Sequence, residues 1–307
     1  MRASYDLLAI GDPCADLVLR AERLPGWDDK TRGESLGLFG GGTEANAACV
    51  AARLGWRVAL FGRVGDDVYA DFIVQDLHRH GVHTDHLQRE VRAASSLAIV
   101  AVSPQGERAV LWLPPAAAPA QDTGRRRTIA LADSRWAYTM PYALDALATL
   151  AADAAPSGTR IAVDLEAEGA RSQPAEAWLQ HCDIAFFNRN GFEAAAGAAP
   201  DAQRLQALCR TGRARTVVVT LGGDGALAFD RDDGFARCEA AAATPVDTTG
   251  AGDGFNASFL VARDRGAGLP AALAQASGVA ARIVGRLGAR TALHELQPGH
   301  AEAAGER

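Results

Sequence analysis

The sequence predicts an α/β protein: a mostly parallel sheet covered by helices on both faces, with a small β-sheet lid over one end. Three patterns carry this expectation. From Trp136 onward, short apolar runs alternate with amphipathic stretches, the rhythm of a parallel sheet with crossover helices. The runs are compact and end in glycine or turn residues, as in Tyr5–Gly11, which suits buried strands. Segments near 12–40 and 91–115 break the rhythm with turns and a hairpin-like pattern, and they are assigned to the lid, at the end of the sheet where open α/β folds bind ligands.

The elements follow in order. After the strand Tyr5–Gly11, Thr43–Gly55 has helical apolar spacing and closes on glycine, and the strand Arg57–Phe61 comes at once. Asp66–His80 is an amphipathic helix closed by Gly81. Ser95–Ser103 and Arg108–Leu113 flank Pro104-Gln105-Gly106-Glu107 and read as a hairpin. Pro114–Thr128, rich in Pro and Ala, is expected to be a flexible connection. Strands are then expected at Trp136–Thr139, Arg160–Leu165, Ile184–Phe187, Arg215–Thr220, Ala226–Phe229 and Phe235–Cys238. Helices are expected near Tyr142–Ala154, Ala175–His181, Ala202–Thr211, Ala251–Arg265 and Pro270–Arg286, with a frayed tail from Gly299. The whole of 1–307 is read as one domain.

Bulk properties narrow the function. A net charge of −6 argues against a nucleic-acid surface, and Arg125-Arg126-Arg127 reads as a solvated loop. Five scattered cysteines without a C-x-x-C pair make neither a disulfide framework nor a zinc site. The N-terminal segment reads as a strand, not a signal peptide, and no run approaches the ~18 apolar residues of a membrane span. A cytoplasmic protein without membrane or nucleic-acid partners is expected.

The sharpest motif is Asp247-Thr248-Thr249-Gly250-Ala251-Gly252-Asp253 ahead of an apolar helix. The glycines allow close approach, and the opening helix turns unpaired N–H groups and its positive dipole end toward an anion such as phosphate. Asp253 on that first turn is placed to take the proton of an acceptor hydroxyl. A second element, Gly40-Gly41-Gly42-Thr43-Glu44-Ala45-Asn46, lets a polyol lie against backbone, with Asn46 offering donor and acceptor. Asp16, after the first strand, is a candidate chelator of vicinal hydroxyls, or a turn former. In the third, Val217-Val218-Val219-Thr220-Leu221-Gly222-Gly223-Asp224-Gly225, a strand runs into a glycine turn that suits nucleotide phosphates or ribose, or simply a tight β-turn.

In this order the segments resemble the ribokinase-like (PfkB) family of carbohydrate kinases, from about Asp6 to about Ala292. The D-T-T-G-A-G-D element at 247–253 is the family's most specific mark; G-G-x-x-x-N at 41–46, R-L-G at 53–55, G-R-V-G-D-D at 62–67 and T-L-G-x-x-G at 220–225 support it. The resemblance implies a three-layer α/β/α sandwich with a β lid and transfer of phosphate from ATP, with Mg²⁺, to a sugar-like hydroxyl. It implies Asp253 as base and the amides of Gly250, Ala251 and Gly252 as anion hole. Asp16, Gly41, Gly42 and Asn46 would hold the acceptor; Asn188, Thr220, Gly222 and Gly225 would line the nucleotide, with Ala276 and Ser277 near adenine. Asp247, Thr249 and Gly288 fall where relatives bind a monovalent cation such as K⁺.

Two departures stand out. The family's N-x-x-E, counted without gaps, puts Asn188 at its Asn and Gly191 at its Glu; a two-residue shift gives Asn190 and Glu193. Thr43-Glu44 replaces the Lys-Gly of ribokinases and looks more like 2-keto-3-deoxygluconate kinases, whereas Asp16 and Gly106-Glu107-Arg108 look more like ribokinase and other sugar kinases. The acceptor, sugar or sugar acid, stays open. A nucleoside kinase of the same fold is the nearest rival, although 6 % aromatic content offers no evident ring platform. A non-catalytic sugar- or nucleotide-binding protein is the alternative from another class. Leu97, Ile99, Ala101, Val110 and Trp112 alternate along a hairpin that cannot bury them alone, so a homodimer through the lid is expected.

Overall fold

Uninterrupted apolar strands need cover on both faces, and the chain provides it with two helical layers. The computed structural model describes residues 3–103, 108–115 and 123–296. The main sheet runs from edge to edge as Gly234–Cys238, Ala226–Asp230, Thr216–Thr220, Ile184–Asn188, Arg160–Leu165, Ser134–Thr139, Tyr5–Ile10, Val58–Val64 and Val82–His83, with Leu87–Arg89 also pairing to Val58–Val64. Pairs from Thr216–Thr220 to Val82–His83 are parallel, and the last two strands before the Gly234 edge are antiparallel.

Alternation along each strand divides two cores. Leu7 and Ala9 face helices Thr43–Arg53, Val68–Arg79, Ala251–Asp264 and Leu269–Val284, whereas Leu8 faces helices Thr123–Ala132, Leu144–Ala154, Arg189–Ala196 and Ala202–Thr211. This is the three-layer sandwich expected. A separate four-stranded sheet orders Gly33–Gly41, Cys14–Ala21, Ser96–Val102 and Arg108–Leu113, within the two segments assigned to the lid. Its outer pairs are antiparallel and its central pair parallel.

The G-R-V-G-D-D segment joins the two sheets. Asp67 caps the helix Val68–Arg79 through the Ala70 amide and also accepts from the Ser95 amide and hydroxyl, at 2.8 and 2.7 Å. The Gly65 amide returns a bond to the Ser95 hydroxyl. The lid strand Ser96–Val102 therefore starts from a fixed anchor.

Three expectations change. Part of the connection Pro114–Thr128 belongs to the helix Thr123–Ala132, because Ala130 and Leu131 bury against the sheet and Arg127 pairs with Asp153. The helix Arg189–Ala196 was not anticipated; its opening Arg-Asn-Gly carries no apolar period. The apolar positions of the lid hairpin do not share a face: Ile99 pairs with Leu111 and Leu97 with Leu113, while Trp112 lies opposite Ala98 and Val110 opposite Val100. The hairpin's turn, residues 116–122 and the tail from Gly299 lie outside the described residues.

Candidate active site

Two helices begin at the carboxyl edge of the parallel strands, and both are opened by glycine. Gly250 caps Ala251–Asp264 with φ of 76°, and a Cβ there would come within 2.4 Å of the Ala289 Cβ, so only glycine fits. Gly42 opens Thr43–Arg53, also at positive φ, 93°. The first turns of the two helices meet: Asn46 Nδ2 donates to Asp253 Oδ2 at 2.7 Å. Arg290 lies beneath, donating from Nε to Asn46 Oδ1 at 2.9 Å and from Nη2 to the Gly41 carbonyl at 2.7 Å, with Nη1 on Asp76. Its side chain is 5 % exposed. The Asp16 carboxylate lies against Gly41, where a Cβ would come within 2.2 Å of it. Asp16, Gly41, Asn46 and Asp253 thus come together around one buried cation.

Electrostatics suit a base. Burial pushes Asp253 up to about 7, opposed by the Asn46 hydrogen bond and by Arg290, and aided by Glu166 and Asp16. Asp253 still opens on the cleft. Burial also raises Asp16, with Arg290 pulling it back. Glu44, nearly enclosed, accepts from the Met140 amide at 2.9 Å and is likewise pushed up to about 7 by burial. A carboxylate titrating near neutrality both accepts a proton and gives it up readily.

The expected anion hole would be backbone. A helix leaves its first-turn amides without intrahelical acceptors, here those of Gly252 and Asp253; the Ala251 amide turns back to Thr248 O at 3.3 Å. A Cβ added at Gly252 would meet open space, so that backbone is accessible from the cleft.

The expected nucleotide residues lie along neighbouring strand ends, Asn188 opposite Thr220. Asn188 Oδ1 caps the helix Arg189–Ala196 by accepting from the Gly191 amide at 2.7 Å, which leaves its Nδ2 for a ligand. Asn190 and Glu193 are exposed. Gly222 and Gly225 flank a single 3₁₀ turn, both at positive φ. Ala276 is wholly buried in the core, and the Ser277 hydroxyl joins its helix to the 239–241 loop, accepting from the Ala241 amide and donating to Glu239 O. The three cation-site candidates form one loop junction: Asp247 Oδ1 accepts from the Thr249 amide and hydroxyl, and Oδ2 accepts from the Gly288 amide at 2.8 Å. Among the described residues no group of three or more His, Cys, Asp or Glu side chains is arranged to hold a metal.

Sequence reasoning missed Arg290, Glu44, Glu166 and an aromatic pair. Trp112 of the lid stacks on Tyr142 of the main body, ring centroids 6.3 Å apart, and Tyr142 feels Glu44 and Glu166. A ring platform therefore exists despite the low aromatic content. Arg290 had one usable signal, a cation within the small-residue stretch Gly288-Ala289-Arg290-Thr291-Ala292.

A mostly parallel sheet with an aspartate on a glycine-opened helix at its carboxyl edge suits phosphoryl transfer to a hydroxyl group. The chain belongs to the pfkB family of carbohydrate kinases, whose family model matches residues 5–296. It is 29 % identical over 293 residues to fructoselysine 6-kinase of Shigella flexneri, covering 91 % of this chain and 97 % of that one. It is 26 % identical over 263 residues to deoxyribokinase of Salmonella typhi, covering 83 % and 84 %. The Arabidopsis thaliana ribokinase solved with ribose and ATP shares the fold, with a TM-score of 0.80 over 96 % of this chain and 99 % of that one at 23 % identity. The protein is a carbohydrate kinase of this family. Among the described residues no helix is long and apolar enough to cross a membrane.

Proposed function

We propose that the protein transfers the γ-phosphate of ATP to a hydroxyl, preferably primary, of a sugar or sugar derivative, with Asp253 as base. The observation that carries this reading is the Asn46–Asp253–Arg290 network: it fixes a carboxylate of near-neutral pKa beside open first-turn amides. Asp16, Gly41, Gly42 and Asn46 hold acceptor hydroxyls, and the amides of the Gly250–Gly252 segment stabilise the charge that develops on the transferred group. Asn188, Thr220, Gly222 and Gly225 line the nucleotide beside Ala276 and Ser277. Mg²⁺, when bound with ATP, neutralises phosphate charge.

At the loop junction of Asp247, Thr249 and Gly288, K⁺ would tighten the segment that carries the anion hole; faster turnover in K⁺ than in Na⁺ would support that role. The chain is read as one cytoplasmic domain whose small sheet acts as lid. Leu111 and Leu113, 61 % and 41 % exposed on its edge strand, share a face with Leu97 and Ile99 and support a homodimer through that sheet. A monomer by light scattering at micromolar concentration would refute the dimer.

The acceptor is tested by ADP release across neutral sugars, sugar acids, amine-bearing sugar adducts and nucleosides. The Trp112–Tyr142 pair favours a second reading, an acceptor bearing a ring or extended apolar arm, and nucleosides in the panel test it. Absence of ADP release with every acceptor would favour the non-catalytic binding protein.

A further inference from the structure

We propose that Glu166 supplies the carboxylate that fastens the nucleotide's divalent metal, in place of the acidic residue that the N-x-x-E pattern would put at position 191. This rests on the phosphotransfer reading above. Strands Arg160–Leu165 and Ile184–Asn188 are parallel neighbours with Leu165 opposite Phe187, so Glu166 comes level with Asn188 at the edge of the cleft. Gly191 sits in the first turn of the helix that Asn188 caps, and that turn is pressed onto the Leu165 carbonyl. A Cβ on Gly191 would come within 2.1 Å of Leu165 O. Backbone cannot yield as the tip of a side chain can, so a glutamate is not merely missing at 191 but excluded. The residue next to that contact on the opposing strand is Glu166.

Its surroundings are those of an anion without a counter-ion. Among the described residues the Glu166 carboxylate has no hydrogen bond or ion pair, whereas Asp12, Asp76, Asp183 and Asp264 each hold an arginine. It opens toward solvent, yet the protein around it still lifts its pKa. Among charged groups it contributes the largest electrostatic push on Asp253. A carboxylate left uncompensated next to the base suits a cation that arrives with the ligand. Mg²⁺ keeps most of its waters and is held through one or two carboxylates together with substrate phosphates, so a single residue at the cleft edge meets its needs. Glu193 does not: it is exposed on the helix Arg189–Ala196, two residues past the excluded position, where helix geometry turns its side chain about 200° away.

The test compares ATP affinity by calorimetry in Mn²⁺ and in EDTA, for the parent protein, Glu166→Gln and Glu193→Gln, alongside the electron paramagnetic resonance of bound Mn²⁺. The parent should bind ATP more tightly with the metal. Glu166→Gln should cut that metal-dependent gain by roughly 10–100-fold, the range for losing a group that positions a metal, with EDTA affinity retained and an altered Mn²⁺ signal. Glu193→Gln should keep the parent's gain. An undiminished gain in Glu166→Gln, or a loss confined to Glu193→Gln, would overturn the assignment. Glu166 is exposed and Gln is isosteric, and matching melting curves guard against a folding defect. Turnover does not enter this readout, so failure of the Asp253 mechanism would appear separately, in the rate of Asp253→Asn.

Discussion

One wall of the cleft is made by the helices Thr43–Arg53 and Ala251–Asp264, the other by the strand ends at Asn188 and Thr220. On the first, side chains distant in sequence are cross-linked: Asn46 and Asp253 are 207 positions apart, Asn46 and Arg290 are 244 apart. On the second, side chains mostly serve their own backbone. Asn188 caps its helix, Ser277 fastens a neighbouring loop, and glycines shape the turn after Thr220. A wall held by buried charge should be stiff and easily broken by one substitution. A wall whose surface is backbone should tolerate loss of a side chain but not addition of one. The two therefore predict different patterns of damage.

The largest effect is expected at Arg290. Arg290→Met leaves Asp76 and Asn46 without their buried donor and should destabilise the fold by about 3–5 kcal/mol, the cost of breaking a buried pair from one side. Urea unfolding measures it. A variant as stable as the parent would show that the first wall is not held by this network, and the contrast between the walls would fail.

Asp253→Asn comes next. It should lower turnover by ~10²-fold or more, as expected for a positioned base, with ATP affinity almost unchanged because the amides remain. The base works only when ionised, and Asp253 is pushed up to about 7. In the parent, kcat/KM should therefore rise with pH through about 7 and level off above it. A profile flat from pH 5 to 9, or an Asp253→Asn enzyme with full turnover, would remove the proposed base.

Asp16→Ala should act on the acceptor alone, through loss of charge-assisted bonds worth roughly 1.5–3 kcal/mol each. Calorimetry with an accepted sugar should show the weakening, and ATP binding should not. Equal losses for both ligands would mean that Asp16 supports the fold of the cleft more than one of its walls.

The fold was legible because period is local: runs such as Val217–Val219 and the alternation after Trp136 mark strands and helices wherever they pack. The helix Thr123–Ala132 was not, since its three arginines read as solvated, and its place shows in the burial of Ala130 and Leu131 and in the pairing of Arg127 with Asp153, 26 positions away. The site divides in the same way. Asp253, Asn46 and Gly250 stand in compact motifs, where glycine marks a backbone that no side chain permits. Arg290 and Glu166 stand in none, and Glu44, although inside the 40–46 element, has no role that the motif announces. Their significance comes from groups such as Gly41, Met140 and Asn188, which only folding brings level with them. Gly191 shows the limit best. In the sequence it is a missing glutamate, and only the carbonyl pressed against it explains why nothing larger fits.

The smallest effect is expected at Ser277, and it sharpens the contrast most. The family pattern puts this residue near adenine, yet its hydroxyl accepts from the Ala241 amide at 2.8 Å and donates to Glu239 O at 3.3 Å. Its only donor and one of its two acceptor lone pairs are engaged within the protein. Ser277→Ala should therefore cost stability of about 0.5–1.5 kcal/mol, the net value of an ordinary hydrogen bond, by loosening the 239–241 loop. ATP affinity should hardly move, because the hydroxyl's donor is already engaged within the protein and Ala276 beside it is buried. Thermal melts and calorimetry on the same preparation separate the two quantities. A clear drop in ATP affinity with an unchanged melt would mean that the hydroxyl leaves the loop for the nucleotide. The second wall would then also act through its side chains.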